Sequence, residues 1–448
     1  MLSSRAIAHK ILLQIEQESG YPDRLIQSYL DRYDYLDPRD KALVTEIVFG
    51  VLRWQGRIDS IIAKFSNIRL KKINPLVKVI LRTAIYQMLF LDRIPASAAV
   101  NEAVKLAKES QPHYVVRYVN AVLRKVSSNI ESLKQVDESN LSSGKIAEIY
   151  SHPQWIVDAW IEELGEAETV ELCKANNETP PTTIRVNTLL TSVSELEREL
   201  CSEGLVVEPC LYAPDALKIV KSHSNLMRLQ SYKMGLFQVQ DEASQLVAHL
   251  LTPEPGERVL DACAGFGGKT TLLAQLMQNH GEIVAVDLSS WKIAALEENL
   301  SRLKVRIVNP INTDVRNLHD MNIGLFDRIF LDAPCSGLGV LRRKPDIKWK
   351  RRPSDVYRLS LLQAELLDTV SSFVKKGGTI VYATCTLLAI ENWGIVESFL
   401  QKHAEFCIET VSSVSPWMKP FQWKDCFCSF PHRHGTDGFF AARLKRLK

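Results

Sequence analysis

The chain has 448 residues, enough for two or three domains, and its 46% hydrophobic and 24% charged residues are the balance of a soluble globular protein. A formal net charge of +3 excludes an overall field as the basis of nucleic-acid binding, so any basic surface must be local. No stretch approaches 18 uncharged apolar residues, which excludes a membrane span and a membrane partner. The N-terminal MLSSRAIAHKILLQIEQESG has helical apolar spacing with charges between, and lacks the apolar centre and cleavage site of a signal peptide. Nine unclustered cysteines without an export signal point to reduced thiols in the cytoplasm rather than a disulfide framework.

Residues 1–130 read as helix after helix: IIAKF, LVKVILRTAIYQMLFL and AAVNEAVKLAKE repeat apolar residues at helical spacing. Pro22, Pro38, Pro75 and Pro95 set new helix starts. The polar, Ser-rich stretch from Ser127 to Gly144 reads as a linker. Residues 131–235 hold that linker and a small α+β module with strand-like TTIRVNTLL and ALKIV. Over 236–448 the rhythm changes. The apolar strands RVLDACA, EIVAVDL, FDRIFLDAP and GGTIVYATC alternate with the helical patterns TTLLAQLMQ, SWKIAALEENLSRL and VYRLSLLQAELLDTVSSFV. Such alternation predicts an α/β domain, a parallel sheet covered on both faces that binds ligands at the C-terminal strand ends.

RVLDACAGFGGKTT runs a strand through a glycine turn into a helix, where unpaired N–H groups meet a ligand. A phosphate-binding P-loop would need glycine where Cys263 stands, and Gly265, Gly267 and Gly268 miss the dinucleotide spacing. Asp287 closes the next strand, where an acid can accept both hydroxyls of a ribose. A nucleoside cofactor without a pyrophosphate needs that turn and that acid but no Walker lysine. S-adenosylmethionine is such a cofactor.

Asp332-Ala333-Pro334-Cys335 and Thr384-Cys385 each end a strand on a thiol. Cytosine C5 is a poor nucleophile until something adds to C6; a thiolate can do this, and the resulting enamine attacks a sulfonium methyl. A second group near C5 then assists proton loss, and a carboxyl on the N3/N4 edge fixes the base. Cys385, Cys335 and Asp332 supply these three groups, and which thiol attacks stays open at this point. A lone strand cysteine is usually inert filling, the reading for Cys173, Cys201, Cys210 and Cys407. The target base must be unstacked, so a flipped or single-stranded nucleotide is expected.

LRRKPDIKWKRRP packs seven Lys or Arg into thirteen positions beside Cys335, a candidate for phosphate neutralisation with Trp349 offering a face to a base. CFCSFPHRH misses zinc-finger spacing and reads as a C-terminal strand pair, with no metal expected.

DACAGFGGKT, DAPCSGLGVLRRKPDIKW, YATCT followed by Glu391-Asn392, and GTDGFFAARL together resemble the RNA cytosine-C5 methyltransferase family. The resemblance is strongest to its small-subunit ribosomal RNA branch, whose members begin with a NusB-like helical domain. ALVTEIVFGVLRWQGRID, LRTAIYQMLFLDRIPASAAVNEAVKLAK and RYVNAVLRKV look like that domain. The resemblance implies a Rossmann-like S-adenosylmethionine-dependent methyltransferase domain preceded by the NusB-like domain and the α+β module. It implies ribosomal RNA as partner, no DNA, and a monomer. It also implies Cys385 as the C6 nucleophile and Cys335 as the aid to product release, whereas DNA cytosine methyltransferases attack with the Pro-Cys thiol. Cys263, Ala264, Gly265, Phe266, Gly267, Gly268 and Lys269 would form the cofactor loop. Asp287 would hold the ribose, Asp314 would face the adenine, and Asp332 would lie between cofactor and base.

The chain departs from the family pattern in three places. Gly265-Phe266 stands where Ala-Pro is usual, and loss of the proline is expected to loosen the loop; Thr386 replaces serine; Ala389-Ile390 precedes Glu391-Asn392 where a proline and an acid are usual. None removes a catalytic group. The competing function is a non-catalytic RNA-binding ribosome-assembly factor with a vestigial methyltransferase domain.

Overall fold

Proline sets φ at four helix starts, and at two of them the side chain before it caps the helix. Helices begin at Pro22, Pro38 and Pro75, and Pro95 caps Ala96–Ser110. Asp37 accepts from Asp40 N at 2.7 Å and Asn74 from Leu76 N at 2.9 Å. The computed structural model describes all residues except Met1, Ser19, Asp137, Ser139, Asn140, His223, Ser224 and Lys448. The chain divides into two units, Met1–Glu178 with Lys344–Lys350, and Thr179–Arg343 with Arg351–Lys448.

The first unit is helical. Its central helix, Pro75–Phe90, is apolar nearly all round and therefore buried nearly all round, from Val77 to Leu89. Arg82 interrupts that run. Its Nε and Nη2 donate to Asp59 at 2.7 and 2.6 Å and its Nη1 to Glu16 at 2.9 Å, so the buried cation is fully paired. The Ser127–Gly144 stretch is partly helical rather than a plain linker. His113–Ser128 runs into it, Ile130–Lys134 is a short helix, and Ser142 caps Ser143–Ile149 by accepting from Lys145 N. Serine favours caps as much as loops, which is why composition alone misread the segment. Asp137, Ser139 and Asn140 of this stretch lie outside the described residues.

The second unit opens with a four-stranded antiparallel sheet: β1 (Thr182–Val186), β2 (Val206–Pro209), β3 (Ala216–Lys221) and β4 (Phe237–Val239), in the order β2-β3-β1-β4. Ile184, Val186, Leu217 and Phe237 form its core with Leu196 and Leu200 of the helix Val193–Ser202. The parallel strands follow: β5 (Arg258–Asp261), β6 (Glu282–Asp287), β7 (Val308–Asn312), β8 (Phe326–Asp332) and β9 (Val374–Thr384), ordered β7-β6-β5-β8-β9. β10 (Phe406–Ile408), β11 (Gln422–Trp423), β12 (Cys426–Ser429) and β13 (Phe439–Arg446) complete the sheet, β13 running antiparallel beside β9. This is the expected α/β domain.

Strand alternation splits the apolar residues between two faces. Val259, Phe330, Val381 and Ala383 pack with Leu272 and Leu296 on one side; Leu260, Ile329, Ile380 and Tyr382 pack with Leu367 and Val396 on the other. β7 was not legible: Val308-Asn309-Pro310 breaks any apolar run, and the strand is tolerated because it lies at the end of the sheet order. The expected strand pair in CFCSFPHRH is half right. Cys426 and Cys428 lie on β12, but His432 and His434 occupy one helical turn, Pro431–His434. Among the described residues no three His, Cys, Asp or Glu are grouped to hold a metal, and no helix is long and apolar enough to cross a membrane.

Candidate active site

Connections from β5 lead to β6 and β7 on one side and to β8 and β9 on the other, and a crevice opens at this reversal. A cavity of about 630 Å³ occupies it. Cys263, Gly265, Asp287, Asp314, Asp332, Cys335 and Cys385 all line it, brought together from five strand ends. Of the other expected residues, Ala264 is buried, Phe266 turns outward, Gly267 and Gly268 open the helix Gly268–Leu276, and Lys269 reaches Asp332.

The glycine turn is held residue by residue. Ala264 N donates to Val286 O at 2.9 Å, Gly265 N to Asp287 Oδ2 at 3.0 Å, and Gly267 N to Ala264 O at 3.0 Å; Phe266 O accepts from Asn299 Nδ2 at 3.1 Å. Gly267 has φ +80°, a conformation that favours glycine, and a Cβ there would lie 2.1 Å from Leu296 Cδ1, which would have to shift. These backbone contacts are made with Gly265-Phe266 in place of Ala-Pro. The Phe266 ring packs on Trp291 with centroids 5.0 Å apart.

Asp287 is 7% exposed, and Ser289 N donates to its Oδ1 at 2.9 Å. Gly265 N and Lys292 Nζ both donate to Oδ2, so Oδ1 is the oxygen that keeps an unused lone pair. Asp314 is paired with Arg316 at 2.7 Å, which holds its carboxyl below the usual range. Lys269 Nζ donates to Asp332 Oδ2 at 2.7 Å. Burial works against the charge on Lys269, but Asp332 outweighs it and raises the ammonium pKa. Asp261 went unnoticed in the sequence; it accepts from Thr270 Oγ1 at 2.6 Å, tying strand end to helix start, and burial pushes it up to about 7.

β8 and β9 are neighbours, with Asp332 opposite Ala383, so the chain beyond each strand end delivers its cysteine to the same place. Cys335 Sγ lies 3.3 Å from Cys385 Sγ, both thiols are free, and Cys385 N donates to Cys335 Sγ at 3.3 Å. The contact with Cys385, then burial, pushes the Cys335 thiol well above its ordinary range. Gly438 N donates to Gly339 O at 2.8 Å and Gly339 N to Cys385 O at 2.9 Å, so GTDGFF braces the Cys385 loop from β13. A Cβ on Gly339 would meet Gly438 O at 2.0 Å, so the brace admits no side chain.

The basic loop is not the phosphate surface expected of it. Arg343 is bound by Asp437 at 2.6 Å and Asp241 at 2.7 Å, and Arg342 donates to Gly435 O at 2.8 Å. Within the helical unit, Lys348 is fully buried and donates to Ser151 O at 2.8 Å, while Trp349 Nε1 donates to Leu52 O at 2.6 Å. Arg351 Nε donates to Ser336 O at 3.0 Å. Only Lys344, Lys350 and Arg352 of the seven cations are exposed. A charge run does not reveal which of its members are consumed by buried carbonyls and carboxylates.

Three family models match the chain: "16S rRNA methyltransferase RsmB/F" over 248–445, "NusB family" over 2–128, and an RsmF/B-like ferredoxin-like domain over 152–224. The probable ribosomal RNA small subunit methyltransferase B of Bacillus subtilis is 35% identical over 99% of both chains. The chain belongs to the RsmB/F family of 16S rRNA methyltransferases. The family resemblance read from the motifs is thus correct, as is the order of a NusB-like helical domain, a ferredoxin-like module and a Rossmann-like methyltransferase domain. The crystal structure of PH0851 is 28% identical and covers 100% of this chain and 99% of its own with a TM-score of 0.84. NSun6 from Pyrococcus horikoshii, solved with SFG, is 25% identical over 65% of this chain and 97% of its own, with a TM-score of 0.58. Membership in the RsmB/F family makes the chain an enzyme and sets aside the assembly factor with a vestigial domain.

Proposed function

We propose that this RsmB/F family member methylates cytosine C5 in small-subunit ribosomal RNA, using S-adenosylmethionine and a covalent adduct between Cys385 and C6. The observation that carries the reading is the pair of sulfurs 3.3 Å apart on the wall of the cavity that Asp287 and Asp314 also line. The cavity suits the cofactor by its donor set. Asp287 offers Oδ1 to one ribose hydroxyl directly and Oδ2 to the other once the part-exposed Lys292 gives way, and Val315, Leu362 and Leu366 offer apolar wall to a purine. The loop from Cys263 to Lys269 would cradle the rest. NSun6, solved with SFG, an S-adenosylmethionine analogue, is a structural relative with the same kind of occupant.

Bound S-adenosylmethionine would supply an electrophilic methyl group on a sulfonium. The thiols divide the remaining work. By the family resemblance Cys385 adds to C6 as the thiolate, and Cys335, 3.3 Å away with its thiol pushed up by that contact and by burial, is its partner for release. Asp332, held by Lys269, bonds the N3/N4 edge and steadies the ring. Once Cys385 is bonded to carbon, its charge no longer opposes ionisation of Cys335, which loses its proton to solvent. Cys335 can then take the C5 proton. The C5–H electrons form the C5=C6 bond, the C6–S bond breaks, and its pair returns to Cys385. One proton is released overall.

Calorimetry tests the cofactor half. S-adenosylmethionine is expected to give saturable heat, and Asp287→Ala to weaken binding about 100-fold, the loss of two hydrogen bonds to a charged acceptor at roughly 1.5 kcal/mol each. Equal affinity in the variant would place the ribose elsewhere.

A further inference from the structure

The residues on either side of each cysteine are tied to one adjacent pair, Glu391 and Asn392, in the turn that follows β9. Thr384 and Thr386 flank Cys385. Thr384 Oγ1 donates to Asn392 Oδ1 at 2.6 Å, and Asn392 Nδ2 donates to Thr386 O at 3.0 Å. Pro334 and Ser336 flank Cys335. Ser336 N donates to Glu391 Oε1 at 2.8 Å and Ser336 Oγ to Oε2 at 2.5 Å. Gln363 Nε2 bridges Pro334 O at 2.9 Å and Glu391 Oε1 at 3.0 Å. Tyr382 OH donates to Glu391 O at 2.6 Å, fixing the backbone of the pair to β9 itself. Glu391, Asn392, Ser336, Thr384 and Thr386 are all buried, whereas both sulfurs line the cavity. The pair therefore does not face the cavity and acts only through the loops it grips.

We infer that Glu391 and Asn392 are positioning residues with divided duties, Asn392 aiming the attacking Cys385 and Glu391 aiming Cys335 for adduct release. A buried carboxylate with four accepting sites suits the Cys335 loop, which offers one backbone N–H and one hydroxyl, with the Gln363 amide of the neighbouring helix as a third donor. An amide suits the Cys385 loop, which offers one hydroxyl donor and one carbonyl acceptor, so it must both accept and donate. Ser336 Oγ lies 2.8 Å from Thr386 Oγ1, a cross-link that, together with Cys385 N on Cys335 Sγ, keeps the two loops in register. Adjacent in sequence, the jaws cannot separate, and the thiol spacing follows.

The inference rests on the reading of Cys385 and Cys335 given above, and its test separates the two. The full-length protein is incubated with S-adenosylmethionine and ribosomal RNA carrying C5-tritiated cytosine; denaturing gels read the adduct and released tritium reads turnover. Glu391→Ala should raise trapped adduct about 10-fold while tritium release falls about 10-fold or more, and Glu391→Gln, which keeps the shape and most hydrogen bonds, should restore release. Asn392→Ala should lower adduct and release together. Cofactor binding should be unchanged in all three, because none of these residues touches the glycine turn. If Glu391→Ala fails to bind cofactor, Ser336→Ala carries the same expectation with a smaller buried change. Parallel loss of adduct and release in both jaw variants overturns the divided clamp while leaving the reading of the thiols intact. Tritium release by Cys385→Ala would instead overturn that reading.

Discussion

Cys385→Ala is expected to abolish tritium release from ribosomal RNA carrying C5-tritiated cytosine, a loss on the order of 10⁴-fold or more. The argument is chemical. Cytosine C5 gains electron density only while a nucleophile is bonded to C6, so without that bond the methyl group has nothing to attack it. No substitute is at hand on this reading, in which Cys335, 3.3 Å from the attacking sulfur, serves release rather than attack. The cofactor pocket should survive, because Asp287, Asp314 and the glycine turn belong to other strand ends. The variant should therefore bind S-adenosylmethionine normally yet release no tritium. Full turnover would refute the assignment of Cys385.

Cys335→Ala should fail at the opposite end of the cycle and accumulate a protein–RNA adduct that survives a denaturing gel. Addition to C6 and methyl uptake at C5 need only Cys385, Asp332 and the cofactor. Elimination needs the C5 proton removed, and on the proposed reading Cys335, 3.3 Å from the nucleophile, removes it. Removing it leaves the adduct formed but not resolved, with release lowered about 100-fold, the scale of one positioned proton-transfer group. A double variant lacking both thiols should show no adduct. Absence of adduct together with normal release would make Cys335 a bystander.

The catalytic domain was legible because its strands are short apolar runs with turn residues after them, and both thiols, Asp287 and Asp332 fall at their ends. Their convergence was not. It depends on β8 and β9 being neighbours in a register that sets Asp332 opposite Ala383, and sequence spacing carries no information on which strands pair. Asp314 was placed by resemblance, since VNPIN before it reads as no strand. Glu391 and Asn392 were visible only as a motif after YATCT; that they hold Ser336, Thr384 and Thr386 directly, and Pro334 through Gln363, is a tertiary fact. LRRKPDIKWKRRP misled for the reverse reason. Lys348 and Trp349 look like an RNA surface by composition, but they satisfy backbone carbonyls of the helical unit.

The central claim, that one sulfur attacks C6 while the other serves release, is tested most directly by small-subunit ribosomal RNA containing 5-fluorocytosine. Fluorine cannot leave C5 as a proton does, so an adduct methylated at C5 is locked. Proteolysis and mass spectrometry of the trapped complex then read which cysteine carries the methylated base. The account predicts the peptide containing Cys385, with Cys335 unmodified. Attachment to Cys335, or no covalent complex with a protein that still methylates ordinary RNA, would contradict it.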